Sequence, residues 1–412
     1  MEQAARGPTR FFRPQRRVRA GLVVLACALA GLILGLLLPQ IGFESTVSSR
    51  RVTNWLVGVG IFVVGLVSIV LSVLFLVLQW AFTSLSPRLH LFRDDPIVWR
   101  TFALAVLVFM YSATAAVVVG DEENVSVVVP AVEILAVLTT LGFMRSLQVR
   151  AFAAIQLAPV LADIAGHGHD IIDDLYPGPY KPGGPAAAPL PPRRRAILWP
   201  NREQVLQQLD LGRLLRAAGG AVIVMRASVG DTLQQGAPVA DLYGGDAADM
   251  AVLRGLKTGL ERSFAQDPLF AFRLLGDIGM RALSQAINDP ATAVQSLDTL
   301  ESLLRALVSR DLDVAEVVDD AGTLRIVLAL PSWDDYLRTA LDDFIEFAAQ
   351  TPMALLRART LITTLLDAAP PARQPALTRR LQRVEQLGAS NFPAIWQDTA
   401  GTLRQPNSVA DQ

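Results

Sequence analysis

The stretch Trp55–Phe82, WLVGVGIFVVGLVSIVLSVLFLVLQWAF, decides the fold, because it runs its whole length without one ionisable side chain. A helix rises about 1.5 Å per residue, so about 20 apolar residues cross a hydrocarbon core roughly 30 Å thick. The most polar members of this run are Ser68, Ser72 and Gln79. Working outward, Val18–Leu38 is a second such run, closed by Pro39, and Ile97–Val119 and Val127–Val149 are two more. Four runs in succession predict four transmembrane helices before Arg150 and exclude a set of buried helices in a water-soluble protein.

Composition agrees. Hydrophobic residues make up 52% of the chain and the mean hydropathy is +0.38, with the excess placed before Arg150. The remainder has an ordinary composition. A formal net charge of -1 supplies no general attraction to nucleic acid, so no nucleic-acid partner is expected. Cys27, the single cysteine, lies inside the first apolar run, which excludes an intrachain disulfide. That run is longer than the apolar core of a cleavable signal, so it reads as a retained helix.

Charge in the connections sets orientation. Arg6, Arg10, Arg13, Arg16, Arg17 and Arg19 lie before or at the start of the first span; Arg88, Arg93 and Arg100 lie between the second and third or at the start of the third; Arg145 and Arg150 close the fourth. The loop Asp121-Glu122-Glu123 has no basic residue. Arginine stays on the cytoplasmic side, so both termini are expected inside, in the cell (inner) membrane. Arg50 and Arg51 run against this. Trp55, Trp80 and Trp99 fall at span ends, where an indole prefers the interface.

Glu133 is the acidic residue inside an apolar run, and an intramembrane carboxylate points to an ion or proton pathway. The plainer reading places it within two turns of the outer end, reaching the interface. Arg145 is the second candidate for such a pathway, against snorkelling to the inner surface.

Beyond the spans, RAFAAIQLAPVLADIAGHGHDIIDDLYP keeps apolar residues at helical spacing to Leu175, with Pro159 as a kink. Asp163, His167, Asp170 and Asp174 share one face of that helix and His169 lies beside them, making a candidate metal-ligating set. Gly166 and Gly168 weaken the helix there, and the bland reading is a solvated polar cluster. YPGPYKPGGPAAAPLPP, Tyr176–Pro192, is an extended or disordered linker. Arg193–Tyr243 predicts a small β-containing module, with a strand in AVIVMRA and turns at Gly230-Asp231 and Gly236. It resembles half of a biotinyl or lipoyl hammerhead, but it has no lysine and so cannot carry a swinging arm.

From 246 to 395 a mostly helical region is expected, and after it a frayed tail. Its informative stretch is QDPLFAFRLLGDIGMRALSQAINDPATAVQSLDTLESLLRALVSR, Gln266–Arg310. Asp267-Pro268 and Asp289-Pro290 each read as an N-cap followed by proline at the first helical position. Ser284–Asn288 forms the turn between two helices. Asp277, Arg281, Ser284, Asn288 and Asp289 gather there, either as a ligand or ion site at a helix amino terminus or as the caps of a helical hairpin. Further on, TLRIVLALP reads as a strand, Ser332 and Asp335 as a capping box, and Thr351-Pro352 as a helix start.

The segment ALSQAINDPATA, preceded by RLLGDIGMR and QDPLF, resembles the ALSPAINDPxTA-like signature of a bacterial family of predicted membrane proteins catalogued as a domain of unknown function. The resemblance runs from about Ser86 to the 340s. It departs at Gln285, where the family tends to have proline, and at Gly276 and Gly279. It implies four spans followed by a soluble region, and no activity.

The fold class expected is therefore an α-helical membrane domain of four transmembrane helices plus an α+β soluble cytoplasmic region. No nucleophile elbow, phosphate loop, dinucleotide fingerprint or HExxH is present, so neither an enzyme nor a cofactor is expected. Two functions stay open. One is a homo-oligomeric ion channel or conduit with a cytoplasmic regulatory domain. The other is a membrane-tethered sensor or assembly scaffold whose soluble region binds a protein partner.

Overall fold

The structure, a computed structural model, describes residues 16–41, 46–84, 96–120, 123–182 and 189–396. It has two compact units, Met1–Gln156 and Leu157–Gln412. Arg6, Arg10, Arg13, Arg88, Arg93, Asp121 and Glu122 of the topology argument lie outside the described residues.

The first unit runs α1 (Arg16–Leu37), β1 (Thr46–Ser48), α2 (Ser49–Ser84), α3 (Pro96–Val119), β2 (Asn124–Ser126) and α4 (Val128–Ile155). Within these helices Gly21–Gln40, Ser49–Leu76, Ile97–Val119 and Val128–Ala151 are long and apolar enough to cross a membrane. The chain is a multi-pass membrane protein. Helices suit lipid because every backbone N–H and C=O between their ends is bonded internally. Hydroxyls follow the same rule: Ser68 donates to Val64 O, Ser72 to Ser68 O and Thr101 to Ile97 O, each at 2.8 Å. The outward side chains are apolar, among them Leu25, Ile61, Phe75, Val117 and Leu135.

Helix α3 is the hub. Of its span 44% is buried, against 11%, 17% and 22% for the spans of α1, α2 and α4. Helix α1 docks on it through Gly31 and Gly35, spaced to face the same side. A methyl group at Gly35 would lie 2.9 Å from Thr114 Cβ and 3.0 Å from Tyr111 O; one at Gly31 would lie 3.1 Å from Met110 Cβ. Two layers of core follow along the bundle. One contains Val52, Leu56, Tyr111, Ala115, Val119 and Val129, the other Val63, Val67, Ala105, Val108 and Met144. Strands β1 and β2 pair antiparallel, Val47 opposite Val125, and Ser49 Oγ donates to Val119 O at 2.5 Å. Nothing in the apolar pattern signals these three-residue strands.

Helix α4 ends at Ile155, and α5 (Leu157–Leu175) opens the second unit. The sequence places the kink at Pro159, and the break falls just before it. Proline lacks the N–H that would bond Ile155 O four residues back, and its ring crowds that carbonyl. There follow β3 (Arg193–Leu198), β4 (Gln204–Leu209), α6 (Leu211–Ala218), β5 (Val222–Met225), β6 (Thr232–Leu233), β7 (Pro238–Tyr243), α7 (Asp249–Leu253) and β8 (Leu256–Gly259). The rest is α8 (Phe270–Ala282), α9 (Pro290–Val308), β9 (Glu316–Val318), β10 (Leu324–Val327), α10 (Trp333–Leu337), α11 (Asp343–Phe347), α12 (Pro352–Ala368) and α13 (Gln374–Asn391).

A five-stranded sheet has the order β3-β7-β5-β10-β9, with β5 and β10 parallel and the other pairs antiparallel; β6-β4-β8 form an antiparallel sheet. Both sheets therefore use strands from beyond Gly245, the expected edge of the β-containing module. Ile197, Leu206, Leu214, Ile223, Leu242 and Ile326 are fully buried between these elements. The helical part packs α8 and α9 as a hairpin against α5 and α12. Gly168, expected to weaken α5, is a point of close approach: a methyl there would lie 3.0 Å from Ala271 Cβ and 3.1 Å from Leu303 Cδ1.

One further expectation needs correction, the cap at Asp267. Asp267 is not the N-cap of α8, which begins at Phe270; its buried carboxylate takes Arg262 at 2.6 and 2.7 Å and also accepts from Leu269 N at 3.2 Å, in the turn before the helix. Burial raises the Asp267 carboxyl above its ordinary range, against the pull of Arg262. The linker is tied down at its start, where Tyr180 N donates to Ser309 O at 2.7 Å. The tail is packed as far as Trp396, which is buried and donates from Nε1 to Glu385 at 2.5 Å; residues from 397 onward lie outside the described residues. The capping box of Ser332 and Asp335 is present.

Candidate functional site

Glu133 does not reach the interface. It lies on the inward face of α4, 0% exposed, in line with Val129, Thr140, Met144 and Leu147. This is the spacing of one helical face. Across from it on α3 stands Ser112, also buried, whose hydroxyl meets Glu133 Oε1 in a short hydrogen bond. The same hydroxyl lies 2.8 Å from Val108 O. Glu133 Oε2 is buried with no hydrogen-bond partner among the described residues. Ser112 approaches α2 at Gly60, where a methyl would lie 2.9 Å from Ser112 Cβ. Helices α2, α3 and α4 thus surround one carboxyl group.

The hydrogen-bond count at this group is incomplete. Ser112 has one hydroxyl proton and faces two acceptors, Val108 O and Glu133 Oε1. With Glu133 ionised, the proton serves the carboxylate. With Glu133 protonated, the carboxyl donates to Ser112 and the serine proton turns to Val108 O. The pair has one arrangement for each protonation state, and neither needs a backbone movement.

Arg145 stands twelve residues further along α4, about 18 Å at the helical rise, and is exposed. The structure does not bring it to Glu133.

The turn between α8 and α9 is built by its own backbone. Asn288 N donates to Ser284 O and Asp289 N to Ala282 O, both at 2.8 Å. Asn288 takes φ +48°, the left-handed region that asparagine tolerates better than most residues. Asp289 caps α9: it accepts from Thr292 N at 3.2 Å and from Thr292 Oγ1 at 2.6 Å. Asp277 accepts from Arg273 Nε at 3.0 Å, and Arg281 is half-buried. Gln285–Asn288 are exposed. Of the five residues gathered by the sequence, Ser284, Asn288 and Asp289 share the turn, while Asp277 lies more than a helical turn back along α8.

These contacts make a measurable prediction. The Thr292 hydroxyl, then the backbone N–H groups of Thr292 and Ala291, hold the Asp289 carboxyl below its ordinary range. Such a group contributes stability above its unfolded pKa of about 3.9, and the contribution is lost as pH falls through the depressed folded value. Asp289→Ala is expected to cost about 1 kcal/mol at neutral pH. The gap to wild type should close on acidification below about pH 4. Denaturant titrations at pH 7 and pH 3 read both values.

The candidate metal set does not converge. Among the described residues no group of three or more His, Cys, Asp or Glu side chains is placed to hold a metal ion. His167 stacks on Phe264 with centroids 4.7 Å apart and bonds Asp163 O at 2.8 Å. His169 lies 3.3 Å from Ser302 Oγ, and Asp170 and Asp174 are exposed.

Sequence reasoning missed Ser112 and Gly60 as neighbours of Glu133. A serine in an apolar span usually bonds its own helix, as Ser68 and Ser72 do, so its type alone gives no pairing.

Comparison with known proteins adds the family. The chain is 26% identical over 379 residues to uncharacterized proteins of Mycobacterium bovis and of Mycobacterium tuberculosis strain H37Rv, covering 87% of this chain and 72% of each relative. No solved structure matches. Residues 17–364 match the family described as Predicted membrane protein (DUF2254), a match that takes in the four spans, both sheets and the α8–α9 turn; the chain belongs to that family.

Proposed function

We propose that this protein is an ion conduit of the cell membrane, assembled from several copies, with both termini in the cytoplasm and the second unit as its regulatory domain. Protons are the first candidate for the ion. The observation that carries the reading is the Glu133–Ser112 pair, a buried carboxyl inside the bundle with one oxygen that has no partner among the described residues. Ionisable groups at that depth are costly, and proton or ion pathways are where they recur. The two hydrogen-bond arrangements give Glu133 a place to take up and release a proton. Because Glu133 is enclosed by α2, α3 and α4 of one copy, the pathway runs within each bundle.

A tethered scaffold is the second reading. It is favoured by the apolar layers on either side of Glu133, around Leu56 and Val129 and around Val67 and Met144, which leave the carboxyl sealed. Purified full-length protein in liposomes with a trapped pH dye distinguishes the two. A conduit gives a proton flux that Glu133→Gln lowers at least tenfold, on the order of one lost proton-transfer group. Wild-type vesicles no leakier than empty ones, at verified protein density, would sink the conduit reading and leave the scaffold.

A further inference from the structure

Among the described residues, Tyr111 and Glu133 are the two titratable side chains buried in the first unit. Tyr111 directly precedes Ser112 on α3, and both side chains reach the start of α4. The Ser112 hydroxyl meets Glu133 Oε1, and the Tyr111 hydroxyl donates to Val129 O at 2.9 Å. Val129 O has a donor of its own, because a helical carbonyl accepts the N–H four residues on, here that of Glu133. The Tyr111 bond therefore goes to a carbonyl that α4 already satisfies. Glu133 Oε2, carried by the residue one helical turn further on, has no partner among the described residues. The two side chains are near enough to interact electrostatically. Leu56, Ala115 and Val129 pack in one core layer with the Tyr111 ring, so the phenol stays beside α4 and its O–H bond is the part free to turn.

We propose that Tyr111 is the second donor to ionised Glu133, its O–H turning from Val129 O to Glu133 Oε2 when the carboxyl loses its proton. A carboxylate has two oxygens to satisfy, and the Ser112 hydroxyl can serve one of them with its single proton. A hydrogen bond to an ionised acceptor is roughly twice as strong as one between neutral groups, and a low-dielectric interior strengthens it further. The phenol proton therefore goes to the anion in preference to the carbonyl. Nothing is stranded by the turn, since Val129 O keeps the Glu133 N–H. When Glu133 regains its proton, the phenol returns to Val129 O. Helix α2 brings Val52, Leu56, Val63 and Val67 to the adjoining core, none of them titratable. Two consecutive side chains of α3 thus serve the two oxygens of one carboxylate. Tyr111 keeps its own proton throughout and acts as a positioning residue for the anion. The assignment rests on Glu133 ionising inside the bundle, as in the conduit reading, and names the group that makes the ionised state tolerable there.

The test is infrared spectroscopy of the full-length protein in lipid nanodiscs, prepared with and without ring-deuterated tyrosine. The pH is raised from acid to a value below about 10, where tyrosine itself ionises. The Glu133 carboxyl band is the one missing from Glu133→Gln. As that band disappears, one tyrosine C–O band is expected to shift, and the shift should be lost in Tyr111→Phe and in Glu133→Gln. The other four tyrosines, Tyr176, Tyr180, Tyr243 and Tyr336, belong to the second unit. A Glu133 band that titrates while no tyrosine responds overturns the proposal. So does a tyrosine shift that survives in Glu133→Gln, or a carboxyl band that persists over the whole range. If Tyr111→Phe fails to fold, the comparison of wild type with Glu133→Gln decides. Proton flux in liposomes keeps the two readings apart. Flux without a tyrosine response sinks the tyrosine assignment alone, and a tyrosine response in a protein that passes no protons sinks the conduit alone.

Discussion

Replacing Arg373 with alanine is expected to cost the second unit about 2–5 kcal/mol, at about 1–3 kcal/mol for each buried acceptor left without its donor. Arg373 is 7% exposed, and among the described residues its hydrogen bonds go to no carboxylate. Its guanidinium instead donates to three carbonyls at the end of α9: Leu307 O and Val308 O at 2.8 Å and Arg310 O at 2.7 Å. Those carbonyls lie where a helix runs out of its own donors and carries partial negative charge. Aromatic rings flank the cation, Tyr180 at 5.0 Å and Trp333 at 5.3 Å. Burial lowers the guanidinium from its ordinary value, yet an arginine still keeps its proton. Alanine would strand Val308 O and Arg310 O, leave Leu307 O only its backbone donor Arg310 N, and unstack both rings at once. Arg373→Lys should recover only part of the loss, because an ammonium has no planar fork. Denaturant unfolding of the full-length protein in detergent, followed by tryptophan emission, gives the values. A loss below about 1 kcal/mol for the alanine variant would show that water replaces the guanidinium at no great cost.

Gly35→Leu is expected to detach α1 from α3. Between helices already in lipid there is little hydrophobic drive to associate, so close backbone approach supplies the attraction. A single methyl at Gly35 would already crowd Thr114 Cβ and Tyr111 O, and a leucine side chain has nowhere to turn. Overpacking of this kind costs about 1–3 kcal/mol, and more where both neighbours are backbone or branched. The comparison is Gly21→Leu on the same helix, where a methyl meets nothing within 4 Å and no loss is expected. Unfolding by sodium dodecyl sulfate in mixed micelles should show an earlier transition for Gly35→Leu and a wild-type one for Gly21→Leu. Identical midpoints for the two would mean that the glycines of α1 are incidental to its docking.

The four spans were legible because a membrane imposes length and uncharged composition together, and no other solvent does. The start of α9 was legible for an equally local reason: Asp289 and Pro290 satisfy and omit donors within one turn. Asp267-Pro268 shows the limit of that logic. The same dipeptide closes a turn two residues before α8 starts, and its carboxylate is shared between Leu269 N and Arg262. The sheets were hidden for another reason. Strand β10 joins β5 across about a hundred residues of chain, and pairing at that distance depends on the packing of everything between. Burial of Glu133 was beyond reach because α4 is apolar on all sides, so no pattern tells its bundle face from its lipid face. Only the position of Ser112 on a different helix makes that choice.

The short ribbon of β1 and β2 carries a rule about threading. It joins the connection that precedes α2 to the one that precedes α4, so both must emerge on the same side of the bilayer. Between them lie α2 and α3, and a polymer returns to its starting side only after an even number of crossings. Either both of those helices traverse the membrane or neither does. An insertion error that stalled one of them would place Val47 and Val125 on opposite sides and leave the ribbon unmade, a built-in parity check on assembly.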